Sequence, residues 1–142
     1  GRGLLLARFG QDEHSLTVAV AHLSLGVRSR QAQLAFIAEI LSDYPNAVLM
    51  GDFNCIPDDP EMQVLYRHTR LCPPEYRIPT FPSWRPQRAI DHILVGSGLN
   101  CSLPRAIPAA YSDHLALAIN IEVPLSIFSL SHPIPSFHTT GE

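Results

Sequence analysis

Apolar and polar positions alternate along several short stretches of this chain and recur at helical spacing in one. Leu4 to Phe9 is a short apolar run, Gln11-Asp12-Glu13-His14 is a polar turn, and Ser15 to Leu23 is Val-rich and alternating. The two runs predict a β-hairpin. On its second strand Leu16, Val18, Val20 and His22 share one face, because side chains alternate. From Arg30 to Tyr44 the residues Leu34, Ile37, Ala38 and Leu41 form one stripe, which predicts a helix with Ser29 as its N-cap and Pro45-Asn46 as its stop. Ala47 to Met50 is a continuous apolar run, read as a buried strand with Gly51-Asp52 at its carboxyl end. Pro57-Asp58-Asp59-Pro60 signals a loop, followed by a short helical stretch from Glu61 to Arg67. Residues 71 to 88 are rich in Pro and Arg with aromatic residues between them, and predict an irregular surface loop with a brief strand near Thr80-Phe81. Ala89 to Val95 predicts another strand and Gly96 to Asn100 a turn. Leu115 to Val123 predicts a last strand, with Leu115, Leu117, Ile119 and Ile121 on one face. From Pro124 the composition shifts to Ser, Pro and His, so one domain is expected over residues 1–123 and a loosely held tail over 124–142. Strands mixed with a clear helix make an α/β protein, and the almost wholly apolar strands should be covered on both faces.

Length and composition narrow the function classes. At 142 residues with 46% hydrophobic content, the chain is long enough for one domain with a real core. Its formal charge is −3, its Arg residues are scattered, and it contains no Lys. A protein held to nucleic acid through many phosphate contacts needs a basic face, so strong nonspecific duplex binding is not expected. Three Cys, at 55, 72 and 101, fit no zinc spacing and read as reduced, partly buried thiols. No apolar run approaches ~18 residues, so no transmembrane segment is expected. No signal peptide opens the chain, and with the unpaired cysteines this favours the cytoplasm. The oligomeric state is open.

Candidate chemistry gathers in four segments: His22-Leu23-Ser24-Leu25-Gly26, Gly51-Asp52-Phe53-Asn54, Ile90-Asp91-His92-Ile93-Leu94 and Ser112-Asp113-His114-Leu115. Each sets acidic, amide or imidazole groups at or inside an apolar run, and strand ends are where a rigid scaffold holds such groups together. In an extended stretch Asp52 and Asn54 point the same way while Phe53 points into the core. A carboxylate can orient or deprotonate water, and an amide can donate to a phosphoryl oxygen. The competing reading of this segment is a turn closed by an Asx bond. Asp91 and His92 face opposite sides of a strand, so only one enters a given cleft; Asp91 is the better candidate, and His92 reads as a packed histidine. If their strands are adjacent, Asp91 can fix the tautomer of His114. His22, ending the hairpin strand, becomes a candidate phosphate donor in that company. Carboxylates beside neutral donors suit a hard divalent cation and a phosphate ester.

Taken in order, the four segments resemble the endonuclease/exonuclease/phosphatase superfamily, which includes deoxyribonuclease I, exonuclease III, sphingomyelinases and inositol polyphosphate 5-phosphatases. The resemblance covers roughly residues 4 to 123. It implies the deoxyribonuclease I-like four-layer α/β-sandwich and a divalent-metal-dependent phosphoesterase that works by activated water. By the same resemblance His22 contacts the scissile phosphate, Asp52 positions the water with Asn54 as its amide partner, and Asp91 pairs with the catalytic His114. Asp52, Asn54 and Asp113 would reach Mg²⁺, or Mn²⁺ in its place. Phe81 and Trp84 are candidates to stack on a substrate, and Arg88, with Arg85, to hold a phosphate. The family also uses an amino-terminal asparagine and a glutamate that is its principal metal ligand. Neither is found before the hairpin, so the chain is expected to be the carboxyl-terminal half of the domain, lacking its amino-terminal portion. A small-molecule or lipid-like phosphoester is favoured over nucleic acid by the charge. A nuclease on the same site, or an inactive half-domain serving as a binding module, are the alternatives.

Overall fold

A computed structural model describes residues 3–10, 15–108 and 111–123. The strands β1 (Leu4–Phe9) and β2 (Leu16–His22) form the antiparallel hairpin that the sequence predicts. Helix α1 (Val27–Leu41) then carries the chain back so that β3 (Ala47–Asp52) can pair parallel to β2. A 3₁₀ turn (Pro60–Met62) runs into α2 (Gln63–His68), and β4 (Asp91–Val95) adds antiparallel to β3. The main sheet therefore has the order β1-β2-β3-β4. Two small ladders follow, β5 (Asn100–Cys101) with β8 (Ile121–Glu122), and β6 (Arg105–Ile107) with β7 (Ala116–Ala118).

Alternation along β2, β3 and β4 divides the core in two. Ala19, Ala21, Leu49 and Leu94 face the helices and meet Leu34, Ile37, Ala38 and Leu41 of α1. Leu16 and Val48 face the other way, joined by Leu99, Met50, Ile93, Ile121 and Val123. Both faces of β3 are thus covered, as its apolar run requires. Removing a side chain such as Leu49 from this core typically costs about 2–5 kcal/mol. Among the described residues no helix is long and apolar enough to cross a membrane.

Several boundaries differ from the sequence reading. Helix α1 starts at Val27, with Gly26 as its N-cap and the Arg30 N–H already bonded to the Gly26 carbonyl, so Ser29 is not the cap. It ends at Leu41, because the Ser42 hydroxyl donates to the Glu39 carbonyl and closes the last turn before Tyr44. The stretch from Leu115 to Val123 is not one strand. At Asn120 the Ser102 side chain and backbone take over the hydrogen bonds, and the chain passes from β6 as partner to β5. Cys55 is buried, but Cys72 and Cys101 are exposed rather than partly buried, and all three are free thiols. The expected tail over 124–142 lies outside the described residues.

Candidate active site

Strand register builds the site. His22 is opposite Asp52 in the β2–β3 ladder, and Asp52 is opposite Asp91 in the β3–β4 ladder. One lateral row across three strand ends therefore carries an imidazole and two carboxylates on one face of the sheet. Like charges set directly opposite each other repel, so this row calls for protons or cations around it. His22 Nε2 lies 3.3 Å from Asp52 Oδ2, and His114 Nδ1 donates to Asp91 Oδ2 at 2.8 Å. The pairing of Asp91 with His114 is thus present.

Gly51 makes the row possible. Its φ is +138°, and a Cβ placed there would sit 1.9 Å from the Ala21 carbonyl oxygen, so only glycine brings β3 this close to β2. The next residues depart from the extended path expected for them. Asn54 has φ +53°, the left-handed region that asparagine tolerates, and its N–H donates to Asp52 Oδ1 at 2.9 Å. The Asx bond and a converging carboxylate are therefore features of one turn, not rival readings. Asn54 Nδ2 donates to the Leu23 carbonyl at 2.9 Å, which leaves Oδ1 as the uncommitted end of the amide. Phe53 is fully buried, as the alternation requires.

His92 takes the other face. It is buried, its ring stands edge-on to Phe53 at 5.2 Å between centroids, and its Nε2–H donates to the Cys55 carbonyl at 2.8 Å. Burial pushes its pKa below the ordinary histidine value, against the upward pull of the Cys55 carbonyl and of Asp91 and Asp52. His114 goes the opposite way. Partial burial lowers it, but the Asp91 hydrogen bond and the charges of Asp91, Asp52 and Asp113 together raise it above its ordinary value.

These groups line an open cleft of about 470 Å³ that holds His22, Asp52, Asn54, Asp91, Asp113 and His114. Phe81 and Arg88 also line it. The Phe81 ring lies 4.8 Å from that of His114, and the Arg88 guanidinium stands 5.9 Å from the Phe81 centroid. Trp84 lies elsewhere. It is 75% exposed and lines a neighbouring pocket, which shares Asp113 with the cleft. Arg85 is exposed. Ligand atoms of Asp52, Asp91 and His114 lie within 4.8 Å of one another, close enough to hold a metal ion.

One participant escaped the sequence reading. Thr80 is fully buried, and its hydroxyl donates to Asp91 Oδ2, the same oxygen that receives His114. Its backbone N–H bonds to the Arg88 carbonyl and its carbonyl accepts from the Leu115 N–H. Thr80 thereby ties the 80–88 loop, β4 and the His114 segment together. Nothing in residue spacing marks a loop threonine as such a tie; the bridge between Phe81 and Arg88 sets it in place.

A family profile described as Endonuclease/Exonuclease/phosphatase matches residues 13–114. The chain belongs to that family. No curated protein matches it. Solved structures do. An endonuclease/exonuclease/phosphatase from Bacteroides vulgatus is 18% identical with a TM-score of 0.68, over 87% of this chain and 56% of that one. A mannosyl-6-phosphatase from Bacteroides thetaiotaomicron is 17% identical with a TM-score of 0.65, over 76% of this chain and 51% of that one. A beta toxin from Staphylococcus aureus, solved with bound magnesium ions, is 14% identical with a TM-score of 0.58, over 83% and 57%. These likenesses establish the deoxyribonuclease I-like α/β fold. The chain spans about half the length of the structures it matches.

Proposed function

We propose that this cleft hydrolyses phosphate esters with the help of a divalent cation. The observation that supports it most is the lateral row of His22, Asp52 and Asp91, closed by His114. Family membership and the phosphatase among the fold relatives agree with it.

The donor set suits a hard cation. Mg²⁺ is usually held by one or two carboxylates, with water and substrate phosphate completing its shell. Asp91 Oδ2 already receives Thr80 and His114, so Asp91 is chiefly a brace for the imidazole. Asp52 is the carboxylate that would hold the ion, with the Asn54 amide oxygen beside it and Asp113 at the same cleft. Such an ion polarises phosphoryl oxygens and offsets their charge. Mg²⁺ is proposed and Mn²⁺ would serve.

Asp52 orients water toward phosphorus and takes up its proton. As the new P–O bond forms, the ester P–O bond breaks, and the departing oxygen leaves as an alcohol after taking a proton from solvent, to which Asp52 returns the one it accepted. His22 and His114 Nε2 donate to the phosphoryl oxygens as charge builds on them. Asp91 keeps His114 Nδ1 protonated, so that Nε2 is the nitrogen presented to substrate. Arg88 is placed to hold a second phosphoryl oxygen.

A small phosphoester fits better than nucleic acid, because the net charge is −3 and Arg88 is the cleft's lone cation of Lys or Arg type among the described lining residues. The fraction of the relatives' length that is matched supports a second reading for the chain alone, an inactive half-domain that binds phosphate without turnover. Release of inorganic phosphate from simple phosphomonoesters tests the first reading. It should need Mg²⁺ or Mn²⁺, stop with a chelator, and fall about a hundredfold or more in Asp52→Ala or His114→Ala. Turnover that survives either substitution removes the proposal. Binding of phosphate without turnover selects the second reading.

A further inference from the structure

Next to the phosphate cleft lies an open pocket of about 630 Å³ that the mechanism above does not use. Trp84 and Tyr111 line it, 75% and 100% exposed, with Asp113 shared between pocket and cleft. Two large aromatic side chains, able to cover the apolar face of a ligand, are thus presented at the mouth of this pocket. Trp84 is not on a loose loop. The Ser83 N–H donates to the Asp113 carbonyl at 2.7 Å, the Ser83 hydroxyl donates to the Ser112 carbonyl at 2.8 Å, and the Arg85 N–H closes a turn onto Pro82 at 3.0 Å. The backbone on either side of Trp84 is thus tied to the segment that carries His114.

We propose that this pocket is a subsite for the group esterified to the phosphate, and that this group is a neutral, polyhydroxylated ring such as a hexose. The inference rests on the phosphoester reading of the adjoining cleft. Pocket and cleft share Asp113, so a group esterified to a phosphate in the cleft would extend into the pocket. None of the described lining residues is a cation and one is a carboxylate, so a second phosphate, as in a polynucleotide or a polyphosphate, would be repelled. The polar groups go further. Ser83 Oγ has spent its proton on the Ser112 carbonyl and keeps lone pairs to accept. Ser112 Oγ accepts the His114 N–H at 3.1 Å and keeps its proton to donate. With the Asp113 carboxylate, the pocket offers acceptors and a donor side by side. Sugar hydroxyls both give and take hydrogen bonds, and the C–H face of the ring covers an indole well. A quaternary ammonium would suit the aromatic faces and the Asp113 charge but would use neither serine hydroxyl.

Trp84 is the only tryptophan in the chain, so its fluorescence reads this pocket directly. Glucose 6-phosphate, methyl phosphate, phosphocholine and adenosine monophosphate are titrated against the protein in Mg²⁺, with excitation selective for tryptophan. Glucose 6-phosphate should perturb the Trp84 emission and bind about tenfold more tightly than methyl phosphate, an advantage lost in Tyr111→Ala. In hydrolysis, Trp84→Ala should reduce the preference for glucose 6-phosphate over methyl phosphate by about the same factor, through KM and not kcat. Tighter binding of phosphocholine or of adenosine monophosphate overturns the hexose assignment. If methyl phosphate binds and is hydrolysed as well as glucose 6-phosphate, with no change in emission, the subsite is wrong while the phosphoester reading stands. If glucose 6-phosphate perturbs Trp84 but no ester is hydrolysed, the subsite stands and the catalytic reading fails. If no phosphate ester binds at all, both are overturned.

Discussion

Asp91 receives two hydrogen bonds on one oxygen, from the Thr80 hydroxyl and from His114 Nδ1, and that arrangement sets the state of His114. The imidazole has its pKa raised because the nearby carboxylates outweigh its partial burial. Asp91→Asn removes the hydrogen-bonded charge and should lower the His114 pKa, read from the pH titration of its ring resonances by NMR. The sign for stability follows by linkage. The folded value exceeds the unfolded one, so protonated His114 stabilises the fold fully below about pH 6.5, and this contribution is lost as pH rises through the folded value. In Asp91→Asn that decline above pH 6.5 should flatten; an unchanged titration of His114 would contradict the bracing role. His92, one residue along, shows what alternation does. Its ring is buried against Phe53 on the other face, and its pKa is lowered instead. Period-two alternation separated Asp91 from His92 in the sequence. It could not reveal Thr80, whose role depends on a loop folding back across 11 residues to Asp91.

At the scale of elements, the strands were legible because their apolar runs are short, bounded and distinct. The hairpin, β3 and β4 all lie where the hydrophobic pattern puts them. Element ends were less so. The start of α1 is set by backbone bonding to Gly26, not by a side-chain cap, and no cap residue announces that. The division of the last stretch into β7 and β8 depends on Ser102, a distant partner whose part no local pattern displays. Arg30 is a further case. It lies on the buried stripe of α1, where its Nε donates to Glu61 Oε1 at 2.6 Å and its Nη1 donates to the carbonyls of Ser24 and Leu25. It clamps the 3₁₀ turn and the loop after His22 to the helix. Breaking a buried pair leaves an uncompensated charge, so Arg30→Met should cost about 3–5 kcal/mol in urea unfolding. Arg30→Met with Glu61→Gln should recover part of that loss. A single-variant cost below about 1 kcal/mol would mean that the clamp is dispensable.

For the whole molecule, the chain bears a net charge of −3 and still brings carboxylates together at one cleft. The fold supplies the means: a mixed sheet whose strand ends share a row, a helix layer behind it, and a loop that carries Thr80, Phe81 and Arg88 to the front. Order along the sequence was enough to recognise the family, because four separated segments had to agree. Which aromatic residue meets which pocket was not readable, since Phe81 and Trp84 are three positions apart on an irregular loop and end up lining different cavities. In the phosphoesterase proposed here His22, Asp52 and His114 meet one phosphate, with Asp91 bracing His114. This arrangement is tested most directly by titrating inorganic phosphate with Mg²⁺ while the ring resonances of His22 and His114 are followed by NMR. Both rings should shift together with a single saturation curve, and Asp52→Ala should abolish the Mg²⁺ dependence. Rings that respond independently, or a response that is the same in Asp52→Ala, would contradict it.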